Sequence, residues 1–323
     1  MLGTFLVTGG AGFIGSHLVD RLLATGYKVR VLDDLSTGKR GSLDPRAELQ
    51  VADVADRDAV AKAVASVAGV FHLAAVASVA RANEDWAGTH RINQSGTVAV
   101  LDAARAASRK QGHPVPVVYA SSAAVYGDTG DEAAHEALAP QPATAYGADK
   151  LGSELHARIG SRIHGVPTLG LRFFNVYGPR QDPSSPYSGV ISIFARRLAE
   201  AAPIVLHGDG SQTRDFVHVS DVVAHLHAGM ALLQADPSYG GCTFNVCTGR
   251  AVSVRELALL LGRLQGRPPR IEYGPARPGD IRHSRGRPDA AVAALGIHAA
   301  IALEDGLTTL DNTARIADAL AAN

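Results

Sequence analysis

The chain has 323 residues, of which 46% are hydrophobic and 19% charged, a composition typical of a folded globular protein. Thirty-one Lys and Arg balance thirty-one Asp and Glu, which disfavours nucleic acid and anionic membranes as partners. The sequence has no apolar run of the roughly 18 residues that span a bilayer, no basic leader and only two cysteines. We therefore expect a cytoplasmic protein with no membrane partner.

Short apolar runs alternate with amphipathic stretches through the first half of the chain. The predicted strands are residues 5–7, 28–32, 49–52, 70–73, 115–120 and 168–174, and the predicted helices are 14–25, 58–67, 96–108 and 148–164. Runs that are almost continuously apolar are typical of parallel strands buried on both faces. The alternation predicts an α/β fold with a doubly wound parallel (Rossmann) sheet.

The composition of the sequence changes after about residue 175, where Gly, Pro, Asp and Ser become frequent. Such residues favour turns, so we predict a smaller C-terminal lobe there. Further helices are predicted over 221–233 and 255–264, a late strand over 244–246, and a weakly amphipathic helix over the alanine-rich stretch 290–322. The predicted division is a main domain over 1–174, to which 216–248 returns, and a lobe formed by 175–215 and 249–323.

A glycine-rich turn separates the first predicted strand from the first predicted helix. Residues 8–15 read T-G-G-A-G-F-I-G, which supplies Gly9, Gly12 and Gly15. Such glycines permit a tight turn and a close approach of backbone to a pyrophosphate, and the helix N-terminus offers free N–H groups to its oxygens. Asp33 ends the second strand, where a carboxylate accepts a ribose 2′-hydroxyl and repels a 2′-phosphate. The pattern predicts a dinucleotide site that prefers NAD to NADP.

Ser122, Tyr146 and Lys150 form a candidate catalytic set. Ser122 follows an inner strand, at the end where open α/β sheets bind ligands, and the spacing of Tyr146 and Lys150 places both on one face of a helix. Tyrosine is a weak base because its reference pKa is about 10, but a nearby ammonium and an oxidised nicotinamide both favour the phenolate. We predict that Tyr146 takes a proton from a substrate hydroxyl and that Ser122 hydrogen-bonds the same oxygen.

Several longer motifs carry a resemblance to a known family. They are T-G-G-A-G-F-I-G at 8–15, V-L-D-D-L-S-T-G at 31–38, F-H-L-A-A at 71–75, S-S-A-A-V-Y-G at 121–127, Y-G-A-D-K at 146–150, L-R-F-F-N-V-Y-G-P-R-Q at 171–181, G-D-G-S-Q-T-R-D-F-V-H at 208–218 and R-P-G-D-I-R-H-S at 277–284. The chain resembles the extended short-chain dehydrogenase/reductase family over nearly its whole length. Within that family it is most similar to nucleotide-sugar epimerases of the UDP-glucose 4-epimerase type.

The resemblance implies which residues contact each ligand. Those expected to contact NAD are Gly9, Gly12, Phe13, Ile14, Gly15, Asp33, Asp53, Val54, Ala74, Ala75, Tyr146, Lys150 and Phe173. Those expected to bind the nucleotide sugar are Ser122, Asn175, Val190, Arg214, Arg277, Asp280 and Ser284. Among these, Asn175, Arg214 and Arg277 would hold the diphosphate, a role that suits the planar, paired donors of arginine. Val190 would lie at the uracil ring and Asp280 at the nucleotide ribose.

The resemblance also implies a mechanism. Tyr146 would remove the proton of the C4 hydroxyl while NAD takes the C4 hydride, the 4-keto sugar would turn over with its nucleotide still held, and the hydride would return to the opposite face. Related dehydratases carry an acidic pair directly after the catalytic hydroxyl residue, where this chain has Ala123 and Ala124. Dehydration is therefore disfavoured. An NAD-dependent dehydrogenase or reductase acting on a nucleotide sugar or another alcohol, and a catalytically silent NAD-binding protein, remain as alternatives.

Ser284 bears on substrate size, since some relatives have a bulky tyrosine there that narrows the pocket against an N-acetyl group. The serine predicts that UDP-GlcNAc is admitted as well as UDP-glucose. The resemblance further implies a homodimer joined by a helix bundle, for which the matching helices are 96–108 and 148–164. His225 and His227 lie two apart on a predicted helix and so face different ways, and we expect no metal site.

Overall fold

The computed structural model describes residues 3–182, 189–276 and 281–310. Its strands are β1 (Thr4–Thr8), β2 (Lys28–Asp33), β3 (Glu48–Val51), β4 (Gly69–His72), β5 (Val117–Ser122), β6 (Thr168–Phe173), β7 (Asn175–Tyr177), β8 (Ile204–His207), β9 (Thr213–Arg214), β10 (Phe216–His218), β11 (Cys242–Val246), β12 (Val252–Ser253), β13 (Ile271–Gly274) and β14 (His283–Ser284). Its helices are α1 (Phe13–Ala24), α2 (Arg57–Val64), α3 (Val79–Glu84), α4 (Trp86–His90), α5 (Gly96–Gln111), α6 (Ala145–His164), α7 (Val190–Ala199), α8 (Val219–Ala235), α9 (Val254–Leu264) and α10 (Asp289–Leu295).

Seven strands form one parallel sheet in the order β11-β6-β5-β4-β1-β2-β3. The chain builds outward from β1 to β3 on one side, and then from β4 to β6 and finally β11 on the other. The order therefore reverses between β1 and β4, which is the place where such sheets bind ligands beyond the carboxyl ends of their strands. The doubly wound α/β fold predicted from the sequence is confirmed, and each predicted strand lies within two residues of an observed one.

Apolar side chains cover both faces of this sheet. One core cluster packs α1 and α8 against the sheet through residues such as Leu18, Val31 and Leu226. The opposite cluster, which includes Val60 and Val100, packs α2 and α5 against the other face. Burial on both faces explains why the strand sequences are almost wholly apolar.

The remaining strands belong to three small sheets, which pair β7 with β10, β8 with β13, and β9 with both β12 and β14. A separate apolar cluster, which includes Ile191, Leu206 and Leu257, lies among α7, β8 and α9. The late strand predicted over 244–246 is β11, and it pairs with β6 at the edge of the main sheet. Neither α7 nor the short strands of the small sheets were predicted from the sequence.

The single helix predicted over 290–322 is wrong for the described residues. Helix α10 ends at Leu295, because Gly296 adopts a left-handed conformation with a φ of 68°. A second helical stretch begins at residue 303, and residues 311–323 lie outside the described part of the chain. Within the described ranges, no helix combines the length and the apolar character that a membrane crossing needs.

Candidate active site

A cavity of about 520 Å³ lies at the carboxyl ends of the strands, where the strand order reverses. Its volume is within the range of small-molecule sites. Every residue predicted to contact NAD lines this cavity: Gly9, Gly12, Phe13, Ile14, Gly15, Asp33, Asp53, Val54, Ala74, Ala75, Tyr146, Lys150 and Phe173. Ser122 and Asn175 line it as well. The fold thus brings the predicted dinucleotide and catalytic residues to one place.

The glycine turn leaves no room for side chains between β1 and α1. Gly9 has a φ of 69°, and a Cβ atom added there would lie 2.7 Å from the backbone nitrogen of Ala74. A Cβ atom on Gly15 would overlap the carbonyl oxygen of Gly9. Gly12 is the residue before α1, and no side chain caps that helix. The N–H groups of the first turn therefore remain for a ligand, so the residues present fit a dinucleotide pyrophosphate.

Asp33 is held in a fixed orientation at the end of β2. Its Oδ2 accepts from the backbone N–H of Ala11 at 2.9 Å and its Oδ1 from that of Leu35 at 2.9 Å. A carboxylate has about four acceptor sites, so two of them remain for ribose hydroxyls. Burial raises the pKa of Asp33, and the two backbone N–H groups oppose that rise. This geometry fits the predicted contact with a 2′-hydroxyl.

A π-helical stretch, Arg91–Ser95, joins α4 to α5 and supports the cavity wall. Asn93 is buried, and its side chain accepts from the backbone N–H of Val76 at 2.8 Å and donates to the carbonyl of Val76 at 3.1 Å. Arg91 donates to the carboxylate of Asp53 at 2.6 Å. Such π-helical insertions are frequent at functional sites. Here a single π-helical turn fixes both Val76 and Asp53, which lie in separate parts of the cavity lining.

A buried polar chain runs beneath the same wall. The Thr8 hydroxyl lies 2.8 Å from Nδ1 of His72, and Nε2 of His72 lies 3.1 Å from the hydroxyl of Thr97. The Thr97 hydroxyl contacts that of Ser153 on α6 at 3.2 Å. Burial, and secondly the charge of Lys150, lower the pKa of His72 to about 3, so this histidine is neutral at physiological pH.

Ser122, Tyr146 and Lys150 are close together in the cavity. Thr144 caps α6 by accepting from the N–H of Gly147, which fixes the turn that carries Tyr146. The Lys150 ammonium donates to the carbonyl of Ala120 at 2.9 Å and lies 5.9 Å from the centre of the Tyr146 ring. The two residues therefore share one side of the helix, as their spacing predicts.

The electrostatics of the pair are dominated by burial. Burial raises the pKa of Tyr146, and its hydrogen bond with Ser122 opposes that rise. Burial lowers the pKa of Lys150 to about 8, and the carboxylates of Asp149 and Glu154 oppose that fall. The hydrogen bond from Ser122 favours the phenolate, and the Lys150 ammonium lies close enough to the Tyr146 ring to add a favourable charge.

A buried ion pair lies next to the candidate catalytic residues. Glu154 accepts from Nε of Arg172 at 2.8 Å and from Nη2 at 2.7 Å, and its Oε1 also accepts from the hydroxyl of Ser121 at 2.5 Å. Arg172 donates in turn to the hydroxyl of Tyr126 at 2.7 Å. These contacts join the end of β5, which carries Ser122, to the helix that carries Tyr146.

The predicted substrate residues are only partly brought together. Asn175 lines the cavity at the start of β7. Arg214 and Ser284 do not line it, but they are partners in the register of β9 and β14. Val190 begins α7, directly after Gly189, which lines the cavity. Arg277 and Asp280 lie outside the described residues.

Some lining residues were not predicted from the sequence. Gln181 and Gly189 lie on the segments that flank residues 183–188, and Arg81 lies on α3. Gln181 ends one of the quoted motifs, which was a usable signal, whereas the sequence around Arg81 has no comparable pattern. Among the described residues, no group of three or more His, Cys, Asp or Glu side chains is arranged to hold a metal ion.

Comparison with known proteins places the chain in a family. Residues 5–247 match the model of the NAD dependent epimerase/dehydratase family, and the chain belongs to this family. It is 39% identical, over 94% of its length and 95% of the relative's, to the UDP-glucose 4-epimerase of Mycolicibacterium smegmatis. The resemblance to extended short-chain dehydrogenases/reductases and their nucleotide-sugar epimerases is confirmed, with NAD as the cofactor.

Two solved structures are similar over nearly the whole chain. The UDP-glucose 4-epimerase of Thermotoga maritima with UDP-glucose has a TM-score of 0.88 at 34% identity and covers 97% of this chain and 99% of its own. The UDP-N-acetylglucosamine 4-epimerase of Methanobrevibacter ruminantium, in complex with UDP-N-acetylmuramic acid, has a TM-score of 0.90 at 28% identity and covers 98% and 99%. Similarity of this extent includes the small sheets as well as the dinucleotide-binding sheet.

Proposed function

We propose that this chain is an NAD-dependent 4-epimerase of UDP-hexoses, which interconverts UDP-glucose and UDP-galactose. The observation that carries the proposal is the meeting of Ser122, Tyr146 and Lys150 with the glycine turn and Asp33 in one cavity. Family membership and the similarity to UDP-sugar 4-epimerases support it.

The chain's own groups supply the proton chemistry. The Tyr146 oxygen, as phenolate, takes the proton of the C4 hydroxyl and later returns it, which is general base and then general acid catalysis. Ser122 donates a hydrogen bond to the reacting oxygen and holds it next to the phenol. Lys150, fixed by the carbonyl of Ala120, keeps a positive charge near the phenolate. Bound NAD would supply reversible hydride acceptance at the sugar carbon, so the reaction would cause no net oxidation.

The cofactor contacts follow from the same cavity. The first turn of α1 would bind the pyrophosphate, and Asp33 would bind the adenosine ribose. Asp53 and Val54 would lie at the adenine, and Phe173 near the nicotinamide. Asp33 keeps two acceptor sites after its two backbone contacts, and these can bind ribose hydroxyls. Its carboxylate would repel a 2′-phosphate, so the site favours NAD over NADP.

Residues 175–215 and 249–323 are proposed to form the nucleotide-sugar-binding lobe. Asn175, Arg214 and Arg277 would hold the diphosphate, while Val190 and Asp280 would contact the uridine. Ser284, paired with Arg214 between two short strands, would leave room for an N-acetyl group, so that UDP-GlcNAc is a further substrate. The similarity to a UDP-N-acetylglucosamine 4-epimerase supports this second substrate.

An exposed apolar stripe on α6 supports the proposed homodimer. Leu155 is 50% exposed, Ile159 49% and Ile163 70%, and they recur at helical spacing. Beside them lies Val98 on α5, 38% exposed. A second copy of the same face would bury these side chains in a helix bundle.

The proposal is tested by incubating the purified protein with UDP-glucose, UDP-GlcNAc and their uronic acids, and reading the products by proton NMR. We expect the C4 epimer to form without accumulation of NADH; free NADH would favour the dehydrogenase alternative instead. Tyr146→Phe should lower kcat by about 10²–10⁴-fold while bound NAD is retained. Tyr27→Phe is a matched control, because the Tyr27 ring packs against Phe5 away from the cavity. Equal turnover of the wild type and Tyr146→Phe would refute the mechanism.

A further inference from the structure

Asp215 is the one residue between β9 and β10, where the chain passes from one small sheet to another. On one side, Arg214 pairs with Val252 of β12 and with Ser284 of β14. On the other side, Phe216 pairs with Asn175 of β7. A single buried carboxylate therefore lies where the strands that carry the predicted diphosphate residues meet.

The Asp215 side chain is fully buried, with 0% of its surface exposed. Its Oδ1 accepts from the backbone N–H of Thr248 at 2.8 Å and from the hydroxyl of Thr248 at 2.7 Å. Its Oδ2 accepts from the N–H of Gly249 at 2.9 Å and from that of Gly286 at 3.3 Å. Its backbone carbonyl accepts from the N–H of Asn175 at 2.9 Å. Three segments far apart in sequence are thus fixed to one residue.

We propose that Asp215 is the positioning residue of the nucleotide-diphosphate half of the site, because it fixes Asn175, Arg214 and Ser284 relative to one another. This inference rests on the proposed function, since it assumes that these side chains bind a nucleoside diphosphate. Asp215 itself does not line the cavity. Its effect on the ligand passes through the backbone of its neighbours.

The chemistry of the four donors explains why an ionised aspartate is needed. All four groups point N–H or O–H hydrogens at the carboxylate, which accepts at both oxygens. An asparagine at this position would turn an N–H₂ group towards one pair of donors, and that side of the contact would become repulsive. Oδ1 holds Thr248 alone, whereas Oδ2 holds both Gly249 and Gly286, so loss of Oδ2 would free Gly286 from the 248–249 segment.

The test compares Asp215→Asn with wild type by titration with UDP, read by calorimetry, and by the kinetics of UDP-glucose. We expect the Kd of UDP and the KM of UDP-glucose to rise at least about tenfold, the equivalent of about 1.4 kcal/mol, with kcat within about threefold and bound NAD unchanged. Asp221→Asn is the matched control: Asp221 is also a buried carboxylate, but it accepts from the N–H groups of Ala300 and Ile301. The control should lower the melting temperature without changing UDP affinity.

Thr248→Val keeps the test decisive if Asp215→Asn does not fold. It removes the hydroxyl, which also accepts from the N–H of Arg250, and leaves the carboxylate with its three backbone donors. A smaller rise of about threefold in the Kd of UDP is expected, since one of the four hydrogen bonds to Asp215 is lost. Unchanged UDP affinity in every folded Asp215 or Thr248 variant overturns the inference. Failure of the wild type to bind UDP would instead overturn the proposed function, which keeps the two failures distinct.

Discussion

The buried ion pair between Glu154 and Arg172 makes a strong prediction about stability. Glu154→Gln removes the negative charge but keeps the shape, which leaves the Arg172 guanidinium buried with an amide partner. The Glu154 side chain is 1% exposed and that of Arg172 is 5% exposed, so water cannot replace the lost carboxylate. Breaking such a pair from one side costs about 3–5 kcal/mol, and we expect at least about 3 kcal/mol here.

The assay is urea unfolding of both proteins with the same excess of NAD. Glu48→Gln is the matched control, because the Arg30–Glu48 pair has a similar contact of 3.1 Å but a Glu48 side chain that is 65% exposed. Exposed pairs contribute at most about 1 kcal/mol, so this variant should unfold almost as the wild type does. If both glutamine variants lose the same small amount of free energy, the argument from burial is wrong.

A double variant distinguishes the loss of the ion-pair attraction from the cost of leaving the Arg172 charge buried without a counter-charge. Arg172→Met combined with Glu154→Gln removes the guanidinium that the single variant leaves unpaired. We expect the double variant to be more stable than Glu154→Gln alone, because the cost comes mainly from the uncompensated charge. A double variant that is less stable than Glu154→Gln would show that the unpaired guanidinium is not the main cost.

Three further predictions follow from other contacts. Gly15→Ala should abolish co-purification of NAD, because the added Cβ would overlap the Gly9 carbonyl. Gly41→Ala should retain NAD, because the space around Gly41 is open. Equal NAD content of the two variants, measured by chromatography, would contradict the proposed fit of NAD to the glycine turn. His72 has a folded pKa of about 3, below the 6.5 of an unfolded histidine, so its contribution to stability is complete above pH 6.5 and falls as acid protonates the unfolded chain. Between pH 6.5 and pH 5, the free energy of unfolding of His72→Gln should therefore fall by about 2 kcal/mol less than that of the wild type. An equal fall in the two proteins, read from melting curves at both pH values, would contradict this. Ile159→Asp should be monomeric in light scattering, because the charge lies in the proposed dimer interface. Val292→Asp, at an exposed site on α10, should remain a dimer. If both variants are dimers, the interface lies elsewhere.

The main sheet was predictable because its strands are buried on both faces. That requirement makes neighbouring residues such as Val31 and Leu32 apolar although they point to opposite faces, so the signal is local in sequence. The glycine turn and the Tyr146–Lys150 pair were predictable for the same reason, since each motif lies within one turn or one helix.

The rest depends on contacts between residues that are far apart in sequence. Nothing next to Glu154 indicates that its partner is Arg172, and nothing next to Asp215 indicates Thr248 and Gly286. The strands β9, β12 and β14 have two residues each, too few to show a period of two in the sequence. The predicted tail helix was wrong because alanine favours helix throughout, while one glycine ends it.

The position of β11 has a consequence for the order in which the protein forms on the ribosome. β6 stays an open, apolar edge until β11 is made, although the chain between them builds β7 through β10 and α8 first. At typical rates of synthesis this interval lasts roughly 4–15 s. A fragment truncated after β6 would keep that edge exposed and aggregate, so an expressible half of this enzyme has to include Val246.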